Sequence, residues 1–594
     1  MDALNVELRL VLGLLAASVA LSAIWCVRHR ALIAALPRRI VAGVGVLALL
    51  AAWIRLFATT PALVHGSLDH ATALVESVIA FPSANMHRVN EYGYGSFATL
   101  GLLCAAFGRR VETIVAANAI ISALCVFPLG LVAARWSGRS TAALYAAAAW
   151  AASPLVARLA HSEDAHVVAT AFALCAIAWL EIAFASVSRL ALVNAVIALA
   201  LAVLSRQTLA PWIALCCAVV VERWWRSRSA DRRLSTTAII ATLAIMCLPV
   251  LRFLALAQLD EGANQFVLMV FGIMASRPRA VLEILSAHPF FDVHNLSVLV
   301  PSVGLLGALS LCWRGSPVRL AFPASVFTIT LVTLPFTLPV PGDRWAFRLP
   351  LYALGLIAVG AGAARIEERL VRRARFVVPV LTIAVALLAF CCRTALDNRR
   401  PSADLIEYQF VRDALEARPR PITLIGTGPT LAMAQRPGVR VMSMPGELST
   451  LTAPWLFVDG RACHAYAPSQ LLWPDRPGRA GNEAILRAWF EGKRIVHVGD
   501  RLSLLDAQTE NVERSVEVPT QPMEPRCAGV LERLRQLPVS AGASWLDGPA
   551  VELEDQIPFF VYDRIAFRPR ILESSPSQLG TAPEVEVPSG IARP

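Results

Sequence analysis

Twelve apolar stretches, most of them close to the length of a bilayer crossing, occupy the first two thirds of this chain and constrain its fold more than any other feature. They run over about 8–27, 40–57, 111–134, 140–157, 166–187, 190–204, 208–222, 234–256, 296–313, 318–338, 349–364 and 376–392. A bilayer core takes about 20 apolar residues per helix, so each stretch is expected to span. The short pair 190–204 and 208–222, parted by Ser205, Arg206 and Gln207, is expected to form two spans joined by a polar hairpin tip. Only 16% of the residues are charged, against about 25% in a soluble protein, which excludes one large soluble enzyme. A mean hydropathy of +0.58 excludes a disordered scaffold as well.

Charge divides the chain near residue 392. Residues 1–392 hold 31 basic and 18 acidic side chains, and 393–594 hold 23 and 25. The excess of positive charge therefore belongs to the membrane part, which argues against a nucleic-acid partner. Arginines gather at Arg28, Arg30, Arg38 and Arg39, at Arg135 and Arg139, at Arg223–Arg233, and at Arg365, Arg369, Arg372, Arg373 and Arg375. With alternating spans these fall on one side, the cytoplasm by the positive-inside rule. The N-terminus, which lacks the basic start and cleavage site of a signal peptide, then begins outside. Residues 393–594 lie outside too. Ten of the 12 cysteines sit in the apolar part, where a free thiol behaves as a small hydrophobe. The remaining pair, Cys463 and Cys527, is expected to form a disulfide in an oxidising compartment.

The external loops carry the chemistry-bearing side chains. The first reads HGSLDHATALVESV at 65–78 and HRVNEYGYGSFATLGLLCAAFG at 87–108, placing Asp69 between His65 and His70. The segment 95–108 is expected to be a helix on the membrane surface. A second turn, RLAHSEDAH at 158–166, gathers Arg158, His161, Glu163, Asp164 and His166. Each group has a plainer alternative. Asp69 is an ordinary solvated loop residue, the Glu163/Asp164 turn an N-cap for the helix at 166–187, and Arg206 a snorkelling arginine. His65, His70, His161 and His166 are candidates for substrate contact or for a divalent metal, but loop spacing fixes no geometry and no cofactor is assigned.

These features in this order resemble the GT-C glycosyltransferases. They are a span, an acidic external loop, a YG stretch entering an apolar half-helix that ends in FG, a span ending in GR, and a small-residue span with SP before the second acidic turn. The resemblance is closest to the branch of protein O-mannosyltransferases and lipid A aminoarabinose transferases and covers about 40–390. SRQ at 205–207 and GDRWAFRLPLY at 342–352 are similar to that family's span-tip basic residue and late arginine turn. The resemblance implies a polyprenyl-phosphate sugar as donor and Asp69 as general base on an acceptor hydroxyl. It implies Arg206, Arg344 or Arg348 as contacts to the departing phosphate. Glu163 and Asp164 would orient the acceptor, bind a divalent ion or hold a cationic neighbour.

Residues 393–570 read differently. A helix is expected over 403–417, with short apolar runs at 421–426, 439–443, 454–459 and 494–499 and a helical pattern near 484–492. Strands alternating with helices argue for an α/β domain. IGTGPT at 425–430 lacks the rest of a dinucleotide fingerprint, and Trp455, His464, Tyr466 and Trp473 are either core or sugar-stacking. His288, Asp292 and His294 read as an ordinary polar segment, and 571–594, rich in Pro, Ser and Glu, as a disordered tail.

The expectation is a mainly α polytopic membrane protein of about twelve helices, residues 1–392, with a C-terminal extracytoplasmic α/β domain, in a bacterial inner membrane. It would move a sugar from a polyprenyl-phosphate donor to a glycan, lipid or protein acceptor outside. A catalytically inactive scaffold and a lipid or polysaccharide transporter are the alternatives. A transporter would carry charges or broken helices at mid-membrane and repeated halves.

Overall fold

The structure is a computed structural model. It describes residues 2–28, 37–63, 68–82, 93–226, 299–313, 316–333, 344–373, 422–426, 436–442, 455–458, 546–547 and 570–574, with isolated positions at 236–248 and 405–420. The expected spans at 234–256 (in the main) and 376–392 lie outside the described residues, as do the runs at 484–492 and 494–499 and the residues His288, Asp292 and His294. The chain divides into two compact units, one of residues 1–66, 81–400 and 557–561, the other of 67–80, 401–556 and 562–594.

The first unit is helical. Its helices are α1 (Asp2–Arg28), α2 (Arg38–Trp53, continued by a π-turn Ile54–Ala58), α4 (Tyr94–Phe107), α5 (Val111–Leu124), α6 (Val126–Ser137), α7 (Ala142–Ala152), α8 (Pro154–Ala160), α9 (Ala165–Ser186), α10 (Arg189–Ser205), α11 (Pro211–Arg226), α12 (Leu299–Leu311), α13 (Ala321–Thr333) and α14 (Arg344–Arg373). Five described stretches are long and apolar enough to cross a membrane, in α1, in α2 with its π-turn, in α5 and α6 together, in α9 and in α14, or six if the bent pair α7 and α8 forms one span. The chain is a multi-pass membrane protein.

Local breaks have local causes. Pro128 has no N–H for the Leu124 carbonyl, and α5 gives way to α6 at Cys125. Gly138, at φ +70°, closes α6 in the left-handed conformation that glycine adopts without strain. The expected span at 140–157 is broken inside, because α7 and α8 meet at 62°. Ser153 Oγ accepts the Val156 N–H at 3.4 Å and Pro154 fills the first helical position of α8, a combination that starts a helix.

Between lipid-solvated helices packing contacts and hydrogen bonds replace the hydrophobic drive, so small residues set the seams. A Cβ on Gly360 of α14 would come within 2.6 Å of the Ala142 carbonyl of α7, and one on Gly307 of α12 within 1.7 Å of the Ala358 carbonyl of α14. At the arginine-rich ends of the helices, Glu181 accepts from Trp136 Nε1 at 3.0 Å and from Arg223 at 2.6 Å. Glu222 takes the Leu320 and Ala321 amides at 3.0 and 2.9 Å, satisfying the start of α13.

The second unit holds helix α3 (Leu68–Ile79) and a five-stranded sheet. The strands are β1 (Ile422–Gly426), β2 (Val439–Met442), β3 (Trp455–Val458), β4 (Leu546–Asp547) and β5 (Arg570–Ser574), in the order β2-β1-β3-β5-β4. β1 runs parallel to β2 and β3, with Thr423 opposite Arg440 and Trp455. β5 is antiparallel to β3 and β4, with Leu456 opposite Glu573. The described positions of the helix expected at 403–417 are helical. Residues 571–574, read as the start of a tail, belong to β5, where backbone pairing to β3 outweighs a polar composition. Helix α3, read as part of the membrane domain's first loop, groups with the C-terminal unit.

Candidate functional site

The break between α7 and α8 frees carbonyls that an α-helix would have used. Arg55, on the π-turn after α2 and fully buried, donates Nη2 to the Trp150 carbonyl at 3.1 Å and Nη1 to that of Ala151 at 3.5 Å. Its Nε–H reaches Ser122 Oγ at 3.1 Å. An arginine buried in a membrane segment needs such acceptors, and no carboxylate is among those partners. The chain then runs beside the acidic turn, joined by a bridge between Ala62 and Ser162. Arg158 Nη1 donates to the Thr60 carbonyl at 3.0 Å, and His161 Nδ1 lies 2.7 Å from that of Thr59.

The turn 158–166 is buried from Arg158 to His166. Asn118 of α5 supports it, its Nδ2 donating to the carbonyls of Ser162 at 2.7 Å and Asp164 at 3.2 Å. Burial lowers the His161 pKa to about 4, with the Thr59 carbonyl raising it and Arg158 lowering it further. The ring is neutral at pH 7 and donates its Nδ1–H.

Asp164 does two things at once. Its Oδ1 caps α9 by accepting the His166 amide at 2.8 Å, and also accepts from His166 Nδ1 at 2.9 Å. Arg206 Nε donates to His166 Nε2 at 3.2 Å. With one ring nitrogen donating and the other accepting, His166 is a neutral imidazole set between a carboxylate and a guanidinium. Burial alone would raise the Asp164 pKa, but His166 and Arg206 outweigh it and hold the carboxyl below its ordinary 3.8. Asp164 Oδ2 is buried without a hydrogen-bond partner among the described residues. The Phe347 ring closes the group, 5.0 Å edge-on from His166 and 5.5 Å beneath the Arg206 guanidinium. Its neighbour Arg348 is buried on the same first turns of α14.

The YGYGS sequence explains how Arg206 is placed. A Cβ on Gly93 would lie 1.7 Å from the Leu204 carbonyl, and one on Gly95 2.3 Å from Ser205 Oγ. Only glycine lets α4 press onto the end of α10, where the Gly93 amide donates to the Ser205 carbonyl at 2.8 Å. Ser96 Oγ donates to the Ala165 carbonyl at 3.1 Å, tying α4 to the start of α9 as well. Helix 95–108 is thus present as expected, with one face docked into the bundle and Leu102 and Phe107 exposed on the other.

Of the expected site residues, the structure brings together Asp164, His166 and Arg206, with Arg348 next to the ring they share. Glu163 is fully buried beside them in the turn. Both ring nitrogens of His166 are engaged, so in this arrangement it is no metal ligand. His161 is tied to backbone. Among the described residues no group of three or more His, Cys, Asp or Glu is placed to hold a metal ion. Arg344 begins α14, and Asp69 and His70 lie in the first turn of α3. His65, Cys463, His464, Tyr466, Trp473 and Cys527 lie outside the described residues.

In the second unit, Glu76 lies seven residues beyond Asp69 on α3, hence on the same helical stripe. It is buried in a clasp. Arg436 Nη2 and Nε reach Oε1 and Oε2, each at 2.8 Å, and Tyr408 donates its hydroxyl to Oε1 at 2.5 Å. Burial and the neighbouring Glu76 push the Tyr408 pKa far up. Burial works against the Arg436 charge, but its bonds to Glu76 outweigh that and raise its pKa. The sequence reading missed both Arg55 and this clasp. The only signals were an arginine inside an apolar run and an acid one face-repeat beyond Asp69.

No family model matches the chain, and no curated protein matches it. Solved structures do. The archaeal oligosaccharyltransferase AglB from Archaeoglobus fulgidus, in complex with an inhibitory peptide and a dolichol-phosphate, is 13% identical, with 67% of this chain and 63% of that one covered and a TM-score of 0.44. ArnT from Cupriavidus metallidurans, bound to undecaprenyl phosphate, is 13% identical over 71% of this chain and 93% of that one, with a TM-score of 0.46.

Proposed function

We propose that the protein is an inverting glycosyltransferase of the GT-C type. It moves a sugar from a polyprenyl-phosphate donor to an acceptor hydroxyl at the external face of a bacterial inner membrane, with the C-terminal unit also external. The observation that supports this best is the relay Asp164–His166–Arg206, formed where α4, α9, α10 and the start of α14 converge. A guanidinium is always charged and shaped for phosphate. Its place at a helix end, next to a ring carried by an apolar helix, suits the phosphate of a lipid whose chain stays in the bilayer.

In the reaction Asp69 takes the acceptor hydroxyl proton as its oxygen forms a bond to the anomeric carbon from the face opposite the phosphate. The bond from that carbon to the phosphate oxygen breaks with its electrons, so the configuration inverts and polyprenyl phosphate leaves. Arg206, with Arg344 or Arg348, meets the charge growing on the leaving oxygen. The neutral His166 fixes Arg206 by accepting the Arg206 Nε–H at its Nε2, and passes on the attraction of Asp164 without cancelling the guanidinium charge. Glu163 and the open Oδ2 of Asp164 are acceptors for hydroxyls of the incoming substrates. The Glu76 clasp holds the helix that carries the base.

Isolated membranes offered a panel of labelled polyprenyl-phosphate sugars test the reading. Asp69→Asn at matched expression is expected to lower transfer by about 10²–10⁴-fold, the range of general-base assistance. Equal transfer by both proteins removes Asp69 from its role. Absence of transfer across the panel puts the scaffold or transporter first.

A further inference from the structure

A second site lies at the opposite, arginine-rich end of the bundle. α12 and α14 touch so closely through Gly307 and Gly362 that a Cβ on Gly362 would come within 2.2 Å of the Val303 carbonyl. Beyond that contact a cavity of about 250 Å³ opens between them, lined by Leu306, Leu309, Ser310, Trp313, Arg365 and Arg369, with no acidic residue among the described residues of its wall. Leu306, Leu309 and Trp313 are 53%, 58% and 67% exposed, an apolar wall open to surrounding lipid. Arg365 is set by a 2.8 Å bond from Nη1 to Ser310 Oγ. Arg369, one turn on and on the same face, is exposed and makes no hydrogen bond or ion pair with a described residue. The nearby Glu368 is taken by Arg139 at 2.7 Å.

We propose that this cavity binds the phosphate-bearing headgroup of an anionic membrane lipid, with acyl chains lying over Leu306 and Leu309. Two cations at the mouth of a pocket between membrane helices, with a tryptophan at headgroup level, are the chemistry such lipids need. The site lies at the end of the bundle away from Arg206 and is independent of which sugar is transferred. It is on the cytoplasmic leaflet if the arginine-rich side is the inner one.

The test uses the purified full chain, loaded with phosphatidylglycerol or phosphatidylcholine and read by native mass spectrometry. At about fivefold per arginine, wild type should retain phosphatidylglycerol over phosphatidylcholine by about 30-fold. Arg365→Gln and Arg369→Gln should each lower that preference about fivefold, while Arg369→Lys keeps most of it. Inorganic phosphate in large excess should not displace the lipid. Equal retention of the two lipids, or an unchanged preference in the double glutamine variant, overturns the proposal. So does displacement by inorganic phosphate, which would make this a soluble-phosphate site. Should the double variant not fold, Arg369→Gln, at an exposed position, carries the same test.

Discussion

Each unit of the molecule contains a buried carboxylate, bonded to an arginine at Glu76 and linked to one through His166 at Asp164, and the two are finished differently. Glu76 is saturated: Arg436 grips both oxygens and Tyr408 adds a third bond. Asp164 spends Oδ1 on its own helix and on His166, touches no arginine directly, and keeps Oδ2 buried and unmatched among the described residues. A buried unsatisfied oxygen costs about 1–3 kcal/mol. That cost is understandable where a substrate or water supplies the missing donor. A closed clasp suits a structural role, and the open Oδ2 is the acceptor that the proposed role of Asp164 would use.

If the clasp is structural, truncating it should unfold rather than inactivate. Arg436→Ala leaves the buried Glu76 carboxyl with Tyr408 alone among its described side-chain partners, and is expected to destabilise the second unit by about 3–5 kcal/mol. Urea unfolding followed by hydrogen exchange at 70–80 measures this. Arg206→Ala should do the reverse. Removing a group that meets transition-state charge lowers transfer by about 10²–10³-fold, while stability falls by less than about 2 kcal/mol, because Asp164 keeps His166. A stable Arg436→Ala protein, or an Arg206→Ala protein that loses stability in step with activity, erases the distinction.

Acid separates the two regions further. His161 has an ordinary pKa of 6.5, lowered to about 4 in the folded chain. The folded state thus binds that proton more weakly than the unfolded one, and its stabilising contribution is whole above 6.5 and lost as pH falls toward 4. The loss is roughly 3 kcal/mol in all. Exchange of the amides at 158–166 should rise over this window. His161→Gln, which keeps a donor for the Thr59 carbonyl, should flatten the response; an unchanged response assigns the acid sensitivity elsewhere.

What the sequence made legible follows from the range of each interaction. Helix positions were readable because about 20 successive apolar residues are a local signal. The hairpin bearing Arg206 was readable because three polar residues interrupt such a run. The union of Glu76 with Tyr408 and Arg436 joins positions more than 300 residues apart, and no local pattern encodes it. Arg55 was absorbed into an apolar stretch, since its partners are carbonyls that exist only after Ser153 and Pro154 break the neighbouring helix. The meeting of Asp164, His166 and Arg206 was half legible. The types and order of residues were on view, but their contact depends on Gly93 and Gly95 letting α4 press onto α10.

The smallest expected effect cuts nearest to the comparison. Asp164→Asn keeps an N-cap of equal quality and an oxygen for His166, but removes the charge and replaces the open acceptor with a donor. Trading charge-assisted bonds for neutral ones should cost about 1 kcal/mol. Because the Asp164 carboxyl is held below 3.8, its contribution is full above that pH and is lost only on further acidification. The substitution should therefore abolish a stability loss below pH 3.8 and leave the His161 window intact. Its effect on transfer decides what the open oxygen is for. A raised acceptor KM at nearly unchanged kcat makes Oδ2 a substrate contact, and a fallen kcat at constant KM makes it a support for Arg206 through His166. Unchanged values for both leave Asp164 a helix cap and no more, and the contrast with Glu76 would then be one of geometry alone.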